Sequence, residues 1–321
     1  MKKISIAAIA VAASFGVAGV ANAADCKVGV SMYTLGAPYF AAQEAAVVDE
    51  AKKAGCEVFS ADAQNDMNKQ IGDIEDMVTK GVSVLVVNPR DPEGLVPAVN
   101  AATAAGVKVV IMDSGLNPAA NFVTLVQSSN DQNGFLVGQW FAGASQGKDL
   151  KIALLSGDQG NVVGQARRLG VMKGLVEGQL VNDGRVSFEI VAQGWGGWSD
   201  GGGLKAMEDI LTAHPEVNTV IGENDSMVLG AMKALEAAGR TDVMVLAAAD
   251  AQKEALEAIK AGTYLATGLN DPDLVGRTCV KIGLEAAAGT LAADHPKLTY
   301  TDPAVITKDN VDEFYRADAV F

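Results

Sequence analysis

Histidine is almost missing from this chain of 321 residues: only His214 and His295 occur, and proline follows each directly. Two such turn-like residues exclude most histidine-rich metal centres and leave histidine-based catalysis poorly supplied. Neither G-x-G-x-x-G nor G-x-x-x-x-G-K-S/T is present, which removes the main dinucleotide and phosphate-loop signals. Gly201–Gly203 are followed by Leu204, not by the Lys-Ser/Thr pair that a phosphate cradle uses. Positive charge is short as well: 25 basic residues face 39 acidic ones, for a formal net charge of −14. A nucleic-acid partner needs Lys and Arg to neutralise phosphates, so that class is excluded. Gly143–Gly147 match G-x-S-x-G, yet a nucleophile elbow runs strand, turn, helix, and this segment ends a helix and precedes a strand. No pair of carboxylates stands out for acid–base work. What is present is 49% apolar and 20% charged, the composition of a folded protein. The length exceeds one small core, so two lobes or one large α/β domain are expected.

Residues 1–23 read as a secretory signal: Lys2 and Lys3, an apolar stretch from Ile4 to Val20, then Ala21-Asn22-Ala23. A membrane anchor is the alternative, but the stretch is rich in Ala and Gly and barely long enough to span. Its removal takes away two lysines and no acid, so the mature chain is more acidic still. No later apolar run approaches a span, and the mature protein is expected to be soluble. Export makes oxidation of cysteines favourable. Cys26 and Cys56 sit just before the first and second strands; if those strands are parallel neighbours, both thiols lie at one sheet end. A Cys26–Cys56 disulfide is expected, two unpaired buried thiols being the alternative. Cys279 reads as an ordinary core residue in a helical stretch.

Strands and helices alternate along the mature chain. Strands are expected at Lys27–Met32, Glu57–Ser60, Ser83–Val87 and Val107–Met112, then at Lys151–Leu155, Val186–Val191, Asn218–Ile221, Val243–Leu246 and Tyr264–Thr267. Continuous Val/Ile/Leu runs bounded by Gly and Pro mark strands buried on both faces, and helix-length spacers mean βαβ crossovers in parallel sheets. Two similar doubly wound lobes fit that number of units, with a seam near Gln127–Asn130. No low-complexity linker separates them, so short strands should join them.

In open parallel sheets ligands sit beyond the carboxyl ends of the strands. The residues there are Tyr33-Thr34, Asn88, Asp113-Ser114, Gly157-Asp158, Gln193, Asn224-Asp225, Asp250 and Asn270. Nearly all carry hydrogen-bonding side chains, and aromatics accompany them: Tyr39 and Phe40 open the first helix, Trp195 and Trp198 lie in the Gly-rich stretch 193–203. Amides and carboxylates set beside flat rings suit a small polyhydroxylated ligand, whose hydroxyls donate and accept while its C–H faces pack on rings. Each residue also has a plainer reading. Asn88-Pro89 and Asn270-Asp271-Pro272 are ordinary turn sequences, and Asn224 could simply cap a helix. The recurrence at strand after strand favours a site.

Thr34-Leu-Gly-Ala-Pro-Tyr-Phe40, Val87-Asn-Pro-Arg-Asp91, Leu211-Thr-Ala-His-Pro215, Asp242–Val245 and Asn270-Asp-Pro-Asp273 accompany a more specific block, Glu223-Asn-Asp-Ser-Met-Val-Leu-Gly-Ala231. On these residues nearly all of the mature chain resembles the periplasmic sugar-binding proteins of ABC transporters, in the class I, ribose-binding group. The resemblance implies two Rossmann-like, doubly wound parallel-sheet lobes joined by a three-segment hinge: residues 24–128 plus 271–300, and 129–270 plus 301–321. It implies a binding protein, not an enzyme, that closes on a monosaccharide, sugar alcohol or cyclitol in the periplasm and hands it to an ABC permease. A chemotaxis or signalling receptor is the alternative, and more remotely a secreted carbohydrate-active enzyme. It further implies a ligand shell of Tyr33, Tyr39, Phe40, Asn88, Asp113, Arg167, Trp198, Asn224, Asp250 and Asn270. A monomer is expected, with no metal, no cofactor and no nucleic acid. The group's Asp-Arg after the fourth strand is Asp113-Ser114 here, and the Asn before its Pro-aromatic pair is Ala37. Losing that Arg removes a bidentate donor and turns the expectation away from ribose itself.

Overall fold

The computed structural model describes residues 26–321, so the segment 1–23, read above as a secretory signal, lies outside the described residues. Six parallel strands form the first sheet: β1 (Lys27–Met32), β2 (Glu57–Asp62), β3 (Val84–Asn88), β4 (Lys108–Met112), β5 (Leu125–Ser128) and, from far along the chain, β11 (Leu298–Thr301). Their order is β11-β5-β4-β3-β1-β2. The two-residue period divides each strand between two cores. Val84 and Val86 face helices α1 (Pro38–Lys53) and α9 (Pro272–Ala287), together with Val47, Cys279 and Val280. Leu85 and Val87 face α2 (Met67–Thr79) and α3 (Val96–Ala104), together with Ile74, Met77 and Val99. Burial on both sides explains why β3 reads as an unbroken apolar run. A disulfide joins Cys26 to Cys56 across the starts of the paired β1 and β2, and Cys279 is buried and unpaired.

The second sheet is β7-β6-β8-β9, all parallel, from β6 (Leu150–Ser156), β7 (Phe188–Trp195), β8 (Thr219–Gly222) and β9 (Met244–Ala247). Helices α4 (Asn130–Ala144) and α5 (Val162–Asp183) cover one face, with Val137, Phe141, Val171 and Leu175 on Ile152, Leu154 and Ile221. Helices α6 (Asp200–Ala213), α7 (Asp225–Ala237) and α8 (Lys253–Ala261) cover the other.

Two boundaries differ most from the sequence expectation. Helix α5, which the sequence pattern ends near Glu177, runs on to Asp183, and Gly184 stops it by taking the left-handed conformation that glycine adopts without penalty. Strand β7 starts later and reaches Trp195; as an edge strand it is half exposed, so its end lacks the apolar run that marks a buried strand. Parallel pairing is also not universal. β10 (Ala266–Gly268) and β12 (Val305–Thr307) form a small antiparallel pair, and the short helix α10 (Val311–Phe314) follows.

The chain passes between the two layers three times: from β5 into α4, from β10 into α9, and from β11 into β12. Side chains tie these passages together. Ser128 Oγ donates to the Leu269 carbonyl at 3.0 Å and lies 3.3 Å from Thr301 Oγ1. Asn133 donates to the Leu269 carbonyl and accepts from the Ala304 amide at 3.2 Å.

Candidate functional site

Pro38 occupies the first turn of α1, where its fixed φ is already helical and its missing N–H costs no bond. The helix therefore starts promptly and carries Tyr39 to the carboxyl edge of the first sheet. The Tyr39 hydroxyl lies 3.0 Å from both Asp113 Oδ1 and Asn270 Oδ1, its single proton shared between two acceptors. Asn270 Nδ2 donates to Asp250 Oδ1 at 2.8 Å, and Arg167 Nη2 reaches the same oxygen at 2.7 Å. A continuous polar chain, Asp113–Tyr39–Asn270–Asp250–Arg167, thus runs from the end of β4 through the β10–α9 passage to helix α5. Arg167, Asp250 and Asn270 are buried, and Asp113 and Tyr39 are partly so.

Each member is held by its own element. Arg167 spends Nε on Asn130 Oδ1 at 2.8 Å and Nη1 on the Glu223 carbonyl at 3.1 Å, which fixes the guanidinium plane. Asp225 anchors the Asp250 loop: its Oδ2 accepts from the Asp250 and Gln252 amides at 3.0 and 2.9 Å, and its Oδ1 from the Tyr264 hydroxyl at 2.7 Å. Burial, then the charge of Asp250, pushes the Asp225 carboxyl up to about 6. Burial also raises the Asp113 carboxyl, against the opposing pull of the Tyr39 hydrogen bond and the Arg167 charge. The Tyr39 and Tyr33 phenols are pushed up by burial first and by Asp113 second, so both remain donors at neutral pH.

Asn88, at the end of β3, is fully buried and donates Nδ2 to Gln43 Oε1 at 3.0 Å. Tyr33 and Phe40 stand edge to face at 4.9 Å, and Phe40 meets Tyr39 at 5.6 Å. Phe40 also packs on the first core, so it braces Tyr39 as well as bordering the site. Trp198 comes from the second lobe, and its ring lies flat over Gly157: a Cβ there would fall 2.0 Å from the indole. The Arg167 guanidinium sits 5.8 Å from the same ring. Asn224 stands apart from the polar chain. Its Oδ1 caps α7 at the Met227 amide and its Nδ2 donates to the Trp198 carbonyl, so geometry gives it the capping role and a hold on the Trp198 loop. Gln193 is turned to Ser156 Oγ at 2.8 Å, and Asp158 is exposed.

Sequence reading by strand ends missed Gln43, Asn130 and Glu223. Gln43 lies four residues beyond Tyr39 on α1, a helical spacing that could have revealed it. Asn130 opens α4, and Glu223 accepts from the Gly157 amide at 2.8 Å and pairs with Arg168. A groove of about 920 Å³ between α7 and α8 holds none of the site residues; in it Lys233 pairs with Asp200 and Arg240 with Asp242. Among the described residues no group of three or more His, Cys, Asp or Glu is gathered to hold a metal ion, and no helix is long and apolar enough to cross a membrane.

The family model described as periplasmic binding protein domain matches residues 28–291. The ribose import binding protein of Bacillus subtilis (strain 168) is 33% identical over 282 residues, covering 88% of this chain and 87% of that protein. An ABC transporter periplasmic solute-binding protein from Actinobacillus succinogenes 130z, solved with bound D-allose, superposes with a TM-score of 0.79 at 26% identity, covering 90% of this chain and 99% of the other. The myo-inositol-binding protein of Caulobacter, solved with myo-inositol, gives a TM-score of 0.76 at 29% identity, covering 90% and 95%.

Proposed function

The chain belongs to the periplasmic binding protein family, and from that premise we propose that it captures one small neutral polyhydroxylated ligand between two hinged lobes and delivers it to an ABC importer. The relatives named for ribose, D-allose and myo-inositol support a monosaccharide, sugar alcohol or cyclitol as the ligand class. They are binding proteins, and the reading requires no catalysis. The lobes are residues 24–128 plus 271–300 and 129–270 plus 301–321. The packing of α9 on the first sheet and the pairing of β11 within it support that division, and the three tied passages support a hinge. The protein acts as a periplasmic monomer after removal of residues 1–23, and its closed form offers the permease a surface composed from both lobes.

The observation that carries the reading is the polar chain that crosses from one lobe to the other. Asp113 and Tyr39 stand on the first side, Arg167 and Asp250 on the second, and Asn270 joins them at the passage. A ligand whose hydroxyls touch both sides stabilises the closed state, because only closure completes its contacts. Arg167 is paired with Asp250 and Asp113 accepts from Tyr39, an arrangement that suits an uncharged guest. The test is calorimetric titration of Arg167→Ala and Arg167→Lys with D-ribose, D-allose and myo-inositol. Hydrogen bonds to charged groups contribute roughly 1.5–3 kcal/mol, so the alanine variant should bind about ten- to a hundredfold more weakly. Unchanged affinity in a folded variant would remove Arg167 from the site.

A further inference from the structure

Two buried polar atoms beside this site have no hydrogen-bond partner: Gln43 Nε2 and Asn88 Oδ1. Both side chains are fully buried. Asn88 Nδ2 already donates to Gln43 Oε1, so the amide pair is left with one free donor and one free acceptor. Exchanging oxygen and nitrogen in both amides reverses the bond between them and leaves the same inventory. Neighbouring groups do not fill the deficit. Gln70 donates to the Asn88 backbone carbonyl rather than to its side chain, and the Tyr39 proton is committed to Asp113 and Asn270. Gln43 is turned toward the Asp113 carboxyl and lowers it, but its Nε2 does not reach the geometry of a formed hydrogen bond there. Gln43 and Tyr39 leave the same face of α1, so the unmatched pair borders the polar chain. Protein interiors rarely leave such groups unmatched without an occupant.

We infer that Gln43 is a specificity-determining residue: with Asn88 it holds one ligand hydroxyl, which accepts from one amide and donates to the other. Only a group that is both donor and acceptor satisfies the pair. A hydroxyl does so; a carboxylate or ether only accepts, an ammonium only donates, and a C–H does neither. The inference rests on the polyol reading above and deepens it, since it requires a hydroxyl at one defined position of the ligand. It also gives this position a reader outside the strand ends.

The test is titration calorimetry of the intact mature protein with D-ribose, D-allose and myo-inositol, each beside its singly deoxygenated analogues. The expected result is that the tightest of the three loses at least about tenfold in affinity when the one hydroxyl is removed, because both amide atoms are then stranded. In Gln43→Met, of similar length without polar atoms, that penalty should shrink to within about threefold while discrimination at other positions persists. If Gln43→Met does not fold, Gln43→Leu is read in the same way, since it too removes the amide while keeping an apolar side chain. A wild type that binds a polyol yet tolerates every single deoxygenation, as a trapped water on the pair would produce, overturns the inference and leaves the polyol reading intact. A Gln43→Met profile identical to wild type also overturns it. Failure of the wild type to bind any of the three removes the polyol reading and the inference together.

Discussion

Tyr39 shares one proton between an acid of the first lobe and an amide at the passage, so its hydroxyl couples the two. Tyr39→Phe keeps the ring and strands the Asp113 carboxylate, a loss of about 1–2 kcal/mol in ligand binding; calorimetry should show roughly a tenfold weaker Kd, and an unchanged one would place Tyr39 outside the site. Asp225 makes a different prediction. Its folded-state pKa of about 6 lies above the usual carboxylate value near 3.9, so the folded state holds this proton more tightly than the unfolded one. Its contribution to stability is therefore greatest below pH 4, falls as pH rises through 6, and is constant above. Asp225→Asn preserves an acceptor for the two amides and removes the charge. Urea unfolding at pH 4.5 and 7 should show the variant gaining on wild type at the higher pH, by about 1–2 kcal/mol. Equal differences at both pH values would contradict it. Among site residues, Arg167, Asp250 and Asn270 were legible in the sequence because they follow strands or a family motif. Asn224 was ambiguous in sequence because an N-cap and a ligand amide look alike there; only the Met227 and Trp198 bonds separate them.

Helices α4 and α5 cross so closely that their backbones touch through paired glycines. A Cβ at Gly138 would fall 2.1 Å from the Val171 carbonyl, and one at Gly174 would fall 2.0 Å from the Phe135 carbonyl. Neither obstacle is a flexible side-chain tip, so the helices themselves must separate. The same crossing sets Arg167 on α5 beside Asn130 on α4. Gly174→Ala should therefore destabilise the protein by about 1–3 kcal/mol in urea unfolding and weaken ligand binding as well. A variant of wild-type stability would show that the crossing is loose. The sequence pattern ends this helix near Glu177, short of Asp183; isolated glycines weaken a helix, and the partner that needs these is distant in the chain. β1 was recovered to its boundaries by its apolar run, whereas β10 and β12 are too short and too polar at their ends to announce antiparallel pairing.

At the scale of the molecule, alternating strands and helices specified two doubly wound layers, and the Cys26–Cys56 pairing expected from the sequence stands as a disulfide at the sheet end. The pairing of distant segments was harder to read, since β11 enters the first sheet from beyond residue 290 through contacts with β5 alone. The central claim is closure of the two lobes on an uncharged polyol that leaves unaltered. Small-angle X-ray scattering of the mature protein, free and saturated with whichever of D-ribose, D-allose or myo-inositol binds tightest, tests it most directly. A smaller radius of gyration in the saturated sample, with the polyol recovered chemically unchanged, is the predicted result. An unchanged radius at saturation, or a recovered ligand that has been chemically converted, would contradict it.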